Sequence, residues 1–287
     1  MRLLADYVSI ARPRVLCMAL AALAVGAFLG GGGRLDPGAF LLAAAGTTLV
    51  VTGCFAFNQH LERDVDARMQ RTEARPIPAG RRSALHVLLF GAATSAAGLA
   101  LLAWRVNPLC AFLAAGALFL YVCVYTPLKR RTTWSTLVGA IPGAMPPVLG
   151  WSASAGRLDP GAWALFAIVF LWQFPHFHAI AWIYREEYRR AGLRVLAAED
   201  DAGVRMARQA VTTCCALLAV SLAPSALGLA GGWYLGAAVA LGLAYLAYTV
   251  LFARARSEAR ARALLRASVV YLPSLLIILS QDLSVGP

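Results

Sequence analysis

Nine apolar runs divide this 287-residue sequence, each close to the ~20 residues that a helix needs to cross a hydrocarbon core. They cover residues 15–30, 38–57, 85–104, 109–125, 134–151, 160–182, 210–229, 233–252 and 267–283. No water reaches backbone N–H and C=O groups inside lipid, so such runs fold as helices and not as an open sheet. The expectation is an all-α, polytopic membrane protein with nine transmembrane helices. Charged residues make up only 14% of the chain, against about 25% in soluble domains. No polar stretch is long enough for a second domain, so residues 1–287 are expected to form one transmembrane domain. Arg12, Pro13 and Arg14 precede the first run, and no small-residue cleavage pattern follows it; it is expected to stay as the first helix.

The net charge of +12 would suit a nucleic-acid partner if it were clustered on a soluble face. Instead, every Lys and Arg except Arg34, Arg105 and Arg157 falls in segments on the amino-terminal side of the runs. Topology therefore accounts for the bases: the positive-inside rule puts the amino terminus in the cytoplasm and, after nine crossings, the carboxyl terminus outside. The expected partner is the lipid bilayer of the cell (plasma) membrane, with no nucleic acid. Acids contribute little to orientation, yet most of them share that side in two loops, Glu62 to Glu73 and Glu186 to Asp201. The six cysteines lie within or beside the runs without metal-type spacing and read as small apolar packing residues.

The first acidic loop reads Asn58-Gln59-His60-Leu61-Glu62-Arg63-Asp64-Val65-Asp66, then Arg71-Thr72-Glu73-Ala74-Arg75-Pro76. Residues four apart share a helical face. If the second helix continues through Asp66, then Asn58, Glu62 and Asp66 point the same way, drifting about 40° per step. An amide oxygen and two carboxylates suit Mg2+, which commonly shares one or two carboxylates with a substrate phosphate. Asp64 is displaced roughly 200° from Glu62 on such a helix and ranks as a secondary ligand. Arg71 and Arg75, together with Lys129 and Arg130 beyond the fourth run, are placed to meet phosphate oxygens. The same residues would also fit a solvated mixed-charge loop and an ordinary topology signal.

A second cluster lies inside the sixth run: Trp172, Gln173, Phe174, Pro175, His176, Phe177 and His178. Polar side chains at membrane depth face a cavity or a partner, and Pro175 removes a backbone donor. Interhelical hydrogen bonding is the alternative, but Trp, Gln and two His beside a proline favour a cavity. The fifth run holds Gly139, Pro142, Gly143, Pro146, Pro147 and Gly150, dense enough for a bent helix that packs closely or lines that cavity. Glu186 and Glu187, with Tyr188, follow the sixth run.

These segments resemble the intramembrane UbiA-type prenyltransferases, which carry Asn-x-x-x-Asp-x-x-x-Asp after the second helix and a second acidic motif after the sixth. Arg71-Thr72-x-x-Arg75-Pro76, Tyr125-Thr126-x-x-Lys129-Arg130, Gly143 to Pro147, Trp172-Gln173-x-Pro175-His176-Phe177 and Glu187-Tyr188-x-x-Ala191-Gly192 are more narrowly similar to the branch that farnesylates protohaem. Departures are Glu62 where most of the superfamily has Asp, Glu186 and Glu187 where Asp is commoner, and His178 where many bacterial relatives have Trp. Arg194-Val195-Leu196-Ala197 also replaces Met-Leu-Pro.

The resemblance implies a helical ring around a central cavity open to the cytoplasm, with farnesyl diphosphate and haem b as substrates and Mg2+ as cofactor. The implied product is haem O, and proteins of haem biosynthesis or oxidase assembly are further implied partners. It also implies catalytic roles for Asn58, Glu62, Asp66, Arg71, Arg75, Lys129 and Arg130, and substrate contacts for Trp172, Gln173, His176, Phe177, Glu186, Glu187 and Tyr188. Asn58, Glu62, Asp66 and Asp64 form the implied metal set. Two rivals stand beside it: a sister enzyme that prenylates an aromatic or quinone precursor, which has no need of His176, and a transporter with its site in the sixth helix.

Overall fold

Proline, a side-chain cap or both mark the start of most of the long helices. The computed structural model describes residues 2–283; the carboxyl terminus expected outside the membrane lies beyond the described residues. Helix α1 (Arg2–Ala11) precedes α2 (Pro13–Gly30), α3 (Pro37–Leu61), α4 (Arg63–Asp66) and α5 (Ala84–Arg105). Next come α6 (Pro108–Phe119), a π-helical turn (Leu120–Tyr125) and α7 (Thr126–Leu128), which together make one span. Then follow α8 (Ser135–Gly143), α9 (Met145–Ala155), α10 (Pro160–Ile183), α11 (Arg185–Arg190) and α12 (Leu196–Glu199). The last four are α13 (Val204–Val220), α14 (Ala223–Ala226), α15 (Gly232–Ala255) and α16 (Glu258–Gln281). Asp36 accepts from Gly38 N at 2.8 Å and Ala39 N at 3.0 Å, and Asn107 accepts from Cys110 N at 2.8 Å. Each cap is followed by Pro at the first helical position, where its missing N–H costs nothing.

Eight helices among the described residues are long and apolar enough to cross a membrane. The ninth expected span, 134–151, is two short helices broken at Ala144. Pro142 lies inside α8 and Pro146 in the first turn of α9, so the lost donors and ring clashes interrupt the helix there. Among the described residues the only β pairing is an isolated bridge between Ala230 and Leu283. Large apolar side chains are exposed around the outside, with Trp104 at 84% and Phe112 at 74%, as a surface facing lipid requires.

Close helix contacts depend on glycine. A Cβ on Gly26 of α2 would come within 1.9 Å of Pro147 O, and one on Gly150 of α9 within 1.9 Å of Leu23 O. The two backbones touch, as small residues permit in membrane bundles. Helix α1, absent from the sequence expectation, is fastened by buried Asp6, whose oxygens meet Arg81 Nε at 2.8 Å and Arg82 Nε at 3.0 Å.

Candidate functional site

The helical ladder from Asn58 to Asp66 persists through a soft joint. Glu62 leaves helical geometry at φ −100° and ψ 9°, but its N–H still reaches Asn58 O at 2.9 Å and Asp66 N reaches Glu62 O at 2.8 Å. Asn58, Glu62 and Asp66 are consequently all buried on one face. Asp64 points away: its side chain is 66% exposed and meets only Arg63, at 3.8 Å.

Cations surround this face. Arg75 Nη1 lies 2.6 Å from Asp66 Oδ2, and Lys129 Nζ lies 2.9 Å from Glu62 Oε1. Asn58 Nδ2 donates to Glu62 Oε2 at 2.8 Å. Thr72 Oγ1 donates to Asp66 O at 3.0 Å, which folds the Arg71 to Arg75 segment back over α4. The π-helical turn before Thr126 and Lys129 rotates the end of that span; such turns recur at functional sites. Arg130, expected beside Lys129, is exposed and does not line the cavity. Only one of two adjacent residues can face inward there.

Arg12 takes that fourth place. It donates to Asn58 Oδ1 at 3.2 Å and sits 4.9 Å over the Phe55 ring. Its backbone is left-handed at φ 50° and ψ 66°, an unfavourable conformation for a residue with a Cβ. Strain of this kind persists where surrounding contacts hold it. The sequence treated Arg12 only as a flanking charge, since nothing in its spacing links it to Asn58.

The second acidic stretch reaches the first through Arg71 and not through Glu62 or Asp66. Glu186 is exposed and pairs with Arg185 and Arg189. Glu187 Oε2 accepts from the Arg71 backbone at 3.4 Å, and Tyr188 OH accepts from Arg71 Nη2 at 3.2 Å. Neither glutamate pairs with Lys129, which Glu62 holds. Among the described residues no group of three His, Cys, Asp or Glu is arranged for a metal.

Below the charged end lies a cavity of about 790 Å³, lined on its apolar walls by Val50, Phe55, Leu118, Leu149, Phe177 and Leu272. Trp172 and His176 face it from α10, their rings stacked 4.8 Å apart at 23°. Gln173 reaches it too, but its Nε2 donates to Ala140 O at 2.9 Å and Val169 O at 3.2 Å. It therefore braces the α8–α9 break. Gly143 leaves room for that side chain, since a Cβ would lie 2.1 Å from Gln173 Oε1 and displace it.

Burial pushes the Asp66 carboxyl above its ordinary value, against the pull of Arg75. Two buried carboxylates four residues apart, with Glu62 Oε1 accepting no hydrogen bond despite nearby Lys129, are a hard-oxygen donor set with a lone pair to spare. They fit a divalent cation that takes its other ligands from a bound phosphate.

The model of the UbiA prenyltransferase family matches residues 19–271. A protoheme IX farnesyltransferase of Solibacter usitatus (strain Ellin6076) is 46% identical over 277 residues, covering 93% of this chain and 95% of its own. A digeranylgeranylglyceryl phosphate synthase structure shares the fold at TM-score 0.82, with 16% identity over 98% of this chain and 99% of its own. A UbiA homologue from Archaeoglobus fulgidus, bound to GPP and Mg2+, superposes at TM-score 0.68, with 18% identity over 96% and 99% of the two chains.

Proposed function

Since the chain belongs to the UbiA prenyltransferase family, we propose that it transfers a farnesyl group from farnesyl diphosphate to a vinyl group of haem b, giving haem O. The observation that carries this reading is one cavity with two unlike ends. Carboxylates and the cations Arg12, Arg71, Arg75 and Lys129 gather at its mouth, and Trp172 and His176 lie along its apolar interior. The similarity to a protoheme IX farnesyltransferase supports the acceptor.

Glu62 and Asp66, assisted by the Asn58 amide oxygen, would hold Mg2+ shared with the diphosphate. When bound, that ion supplies Lewis-acid stabilisation of the leaving group. Arg12, Arg71, Arg75 and Lys129 bind the diphosphate oxygens and are already in place for the charge that grows as the C–O bond breaks. Preorganised charge of this kind is commonly the largest catalytic contribution. Arg75 and Lys129 give up part of their carboxylate contacts as the phosphate enters. The apolar walls exclude water from the allylic cation, while aromatic faces near it provide a favourable quadrupole. The vinyl π electrons form the new C–C bond to farnesyl C1, and the electron pair of the broken C–O bond leaves with diphosphate. Water then adds to the cation beside the porphyrin and loses a proton, giving the hydroxyl of the product.

The arginine-rich segments support placing this mouth on the cytoplasmic face of the plasma membrane. Purified protein in bilayer nanodiscs is expected to release diphosphate from farnesyl diphosphate only when both haem b and Mg2+ are supplied. Release that is indifferent to haem b, or driven equally by a phenolic acceptor, would contradict the reading.

A further inference from the structure

Resting on that farnesyl-transfer reading, we propose that His176 ligates the porphyrin iron of the acceptor through Nε2, and that Ser268 is the positioning residue that leaves this nitrogen free. Ser268 lies fully buried on α16, opposite His176 on α10. A serine hydroxyl has one proton to donate, and Ser268 gives it to Leu265 O at 2.6 Å. Toward His176 Nδ1, at 2.7 Å, Ser268 Oγ then accepts, and the imidazole proton is accordingly assigned to Nδ1. A neutral ring carries one N–H, so Nε2 keeps its lone pair. Among the described residues Nε2 has no hydrogen-bond partner, and His176 lines the cavity.

The ring is also held in orientation. It stacks on Trp172, whose Nε1 donates to Ser268 O at 2.9 Å, so one residue of α16 fixes both rings. A histidine whose second nitrogen is anchored by a hydrogen bond is the usual arrangement behind a metal ligand, setting both tautomer and ring direction. The other three histidines are committed differently. His60 Nδ1 meets Ala84 O at 2.9 Å, and His86 Nε2 meets Tyr7 OH at 2.7 Å on an exposed face. In His178 the outer nitrogen, Nε2, is taken by Gln209 Oε1 at 3.1 Å, leaving only the nitrogen beside the ring's attachment to the chain. His176 lies seven residues before the end of α10 at Ile183, about 10 Å along the helix. Iron held there leaves the charged mouth to the diphosphate.

The test is resonance Raman of ferrous haem b bound to the full chain in nanodiscs, with turnover measured in parallel. The wild type should show an iron–histidine stretch. His176→Ala should lose that band and bind haem at least about tenfold more weakly, and added imidazole should restore the band. His178→Ala should keep it. Ser268→Ala should retain ligation with a shifted frequency, which a purely structural serine would not produce. A His176→Ala variant with the wild-type band, or loss of the band in His178→Ala instead, would overturn the proposal. If the wild type farnesylates haem b without any histidine band, the ligation fails and the enzyme reading stands. If it binds no haem yet prenylates a phenol, both fall. Farnesyl diphosphate binding by each variant confirms that it is folded.

Discussion

At the scale of single residues, the acidic ladder was legible because i, i+4, i+8 spacing survives any modest bend of the helix. Glu62→Gln keeps the shape of the side chain and removes its charge; turnover should fall by about 10²–10³-fold, the range seen when one preorganised electrostatic group is lost. Asp64→Ala should leave turnover near wild type and change stability by no more than about 0.5 kcal/mol, since its side chain is 66% exposed. Activity lost in Asp64→Ala would show that α4 unwinds around substrate. Asp66→Ala is less simple, because Arg75 is left with 18% exposure and no carboxylate. A destabilisation of about 3 kcal/mol, the low end for a broken buried pair, should accompany its inactivity in thermal unfolding. Arg12 was not legible, because a left-handed residue outside the span reaches Asn58 only through tertiary structure. Arg12→Ala removes a charge-assisted contact worth about 1.5–3 kcal/mol. It should therefore lower kcat/KM for farnesyl diphosphate by about 10- to 150-fold, with haem binding unchanged; an unchanged kcat/KM would remove Arg12 from the diphosphate site.

At the scale of elements, hydropathy located the spans, and proline and glycine in the fifth run foretold a bent or broken helix. It could not show that Gln173 on α10 donates to Ala140 O beside the break, since that pairing depends on how two helices meet. Nor did it show α1, whose amphipathic residues gain their purpose from Arg81 and Arg82 in a distant loop. Gly26→Ala should lower the unfolding temperature in detergent, because its Cβ meets backbone at 1.9 Å and overpacking typically costs about 1–3 kcal/mol; an unchanged midpoint would mean that α2 and α9 are not in contact. The Arg81 hydrogen bond holds the Asp6 carboxyl below its ordinary value despite burial, with Arg82 adding to it. A depressed carboxylate stabilises the fold above the unfolded-state pKa, and that contribution is lost as pH falls through the folded-state value. Protection of the α1 amides, taken relative to the intrinsic exchange rate at each pH, should therefore be high near neutrality and fall below about pH 4. Asp6→Asn should give low protection at both ends of the range, and a variant as protected as wild type at pH 7 would show that the ion pairs do not fasten α1.

At the scale of the molecule, the bundle separates charge from oil. Its arginine-rich end gathers Glu62 from the α3–α4 joint, Asp66 from α4, Arg12 from the α1–α2 joint, and Arg71, Arg75 and Lys129 from the loops after α4 and α7, while the apolar interior extends beneath them. The sequence showed these ends as distant clusters, at 58–75 and 172–178. Their meeting in one cavity is a property of the helix arrangement. Farnesyl transfer to haem b requires that meeting, for neither cluster can ionise a diphosphate and present a porphyrin alone. The most direct measurement is mass analysis of haems extracted after the purified protein in nanodiscs is given haem b, farnesyl diphosphate and Mg2+. A new hydroxyethylfarnesyl haem, heavier than haem b by one farnesyl group and one hydroxyl, is expected; unchanged haem b beside a prenylated phenol or quinone precursor in a parallel reaction would contradict farnesyl transfer to haem.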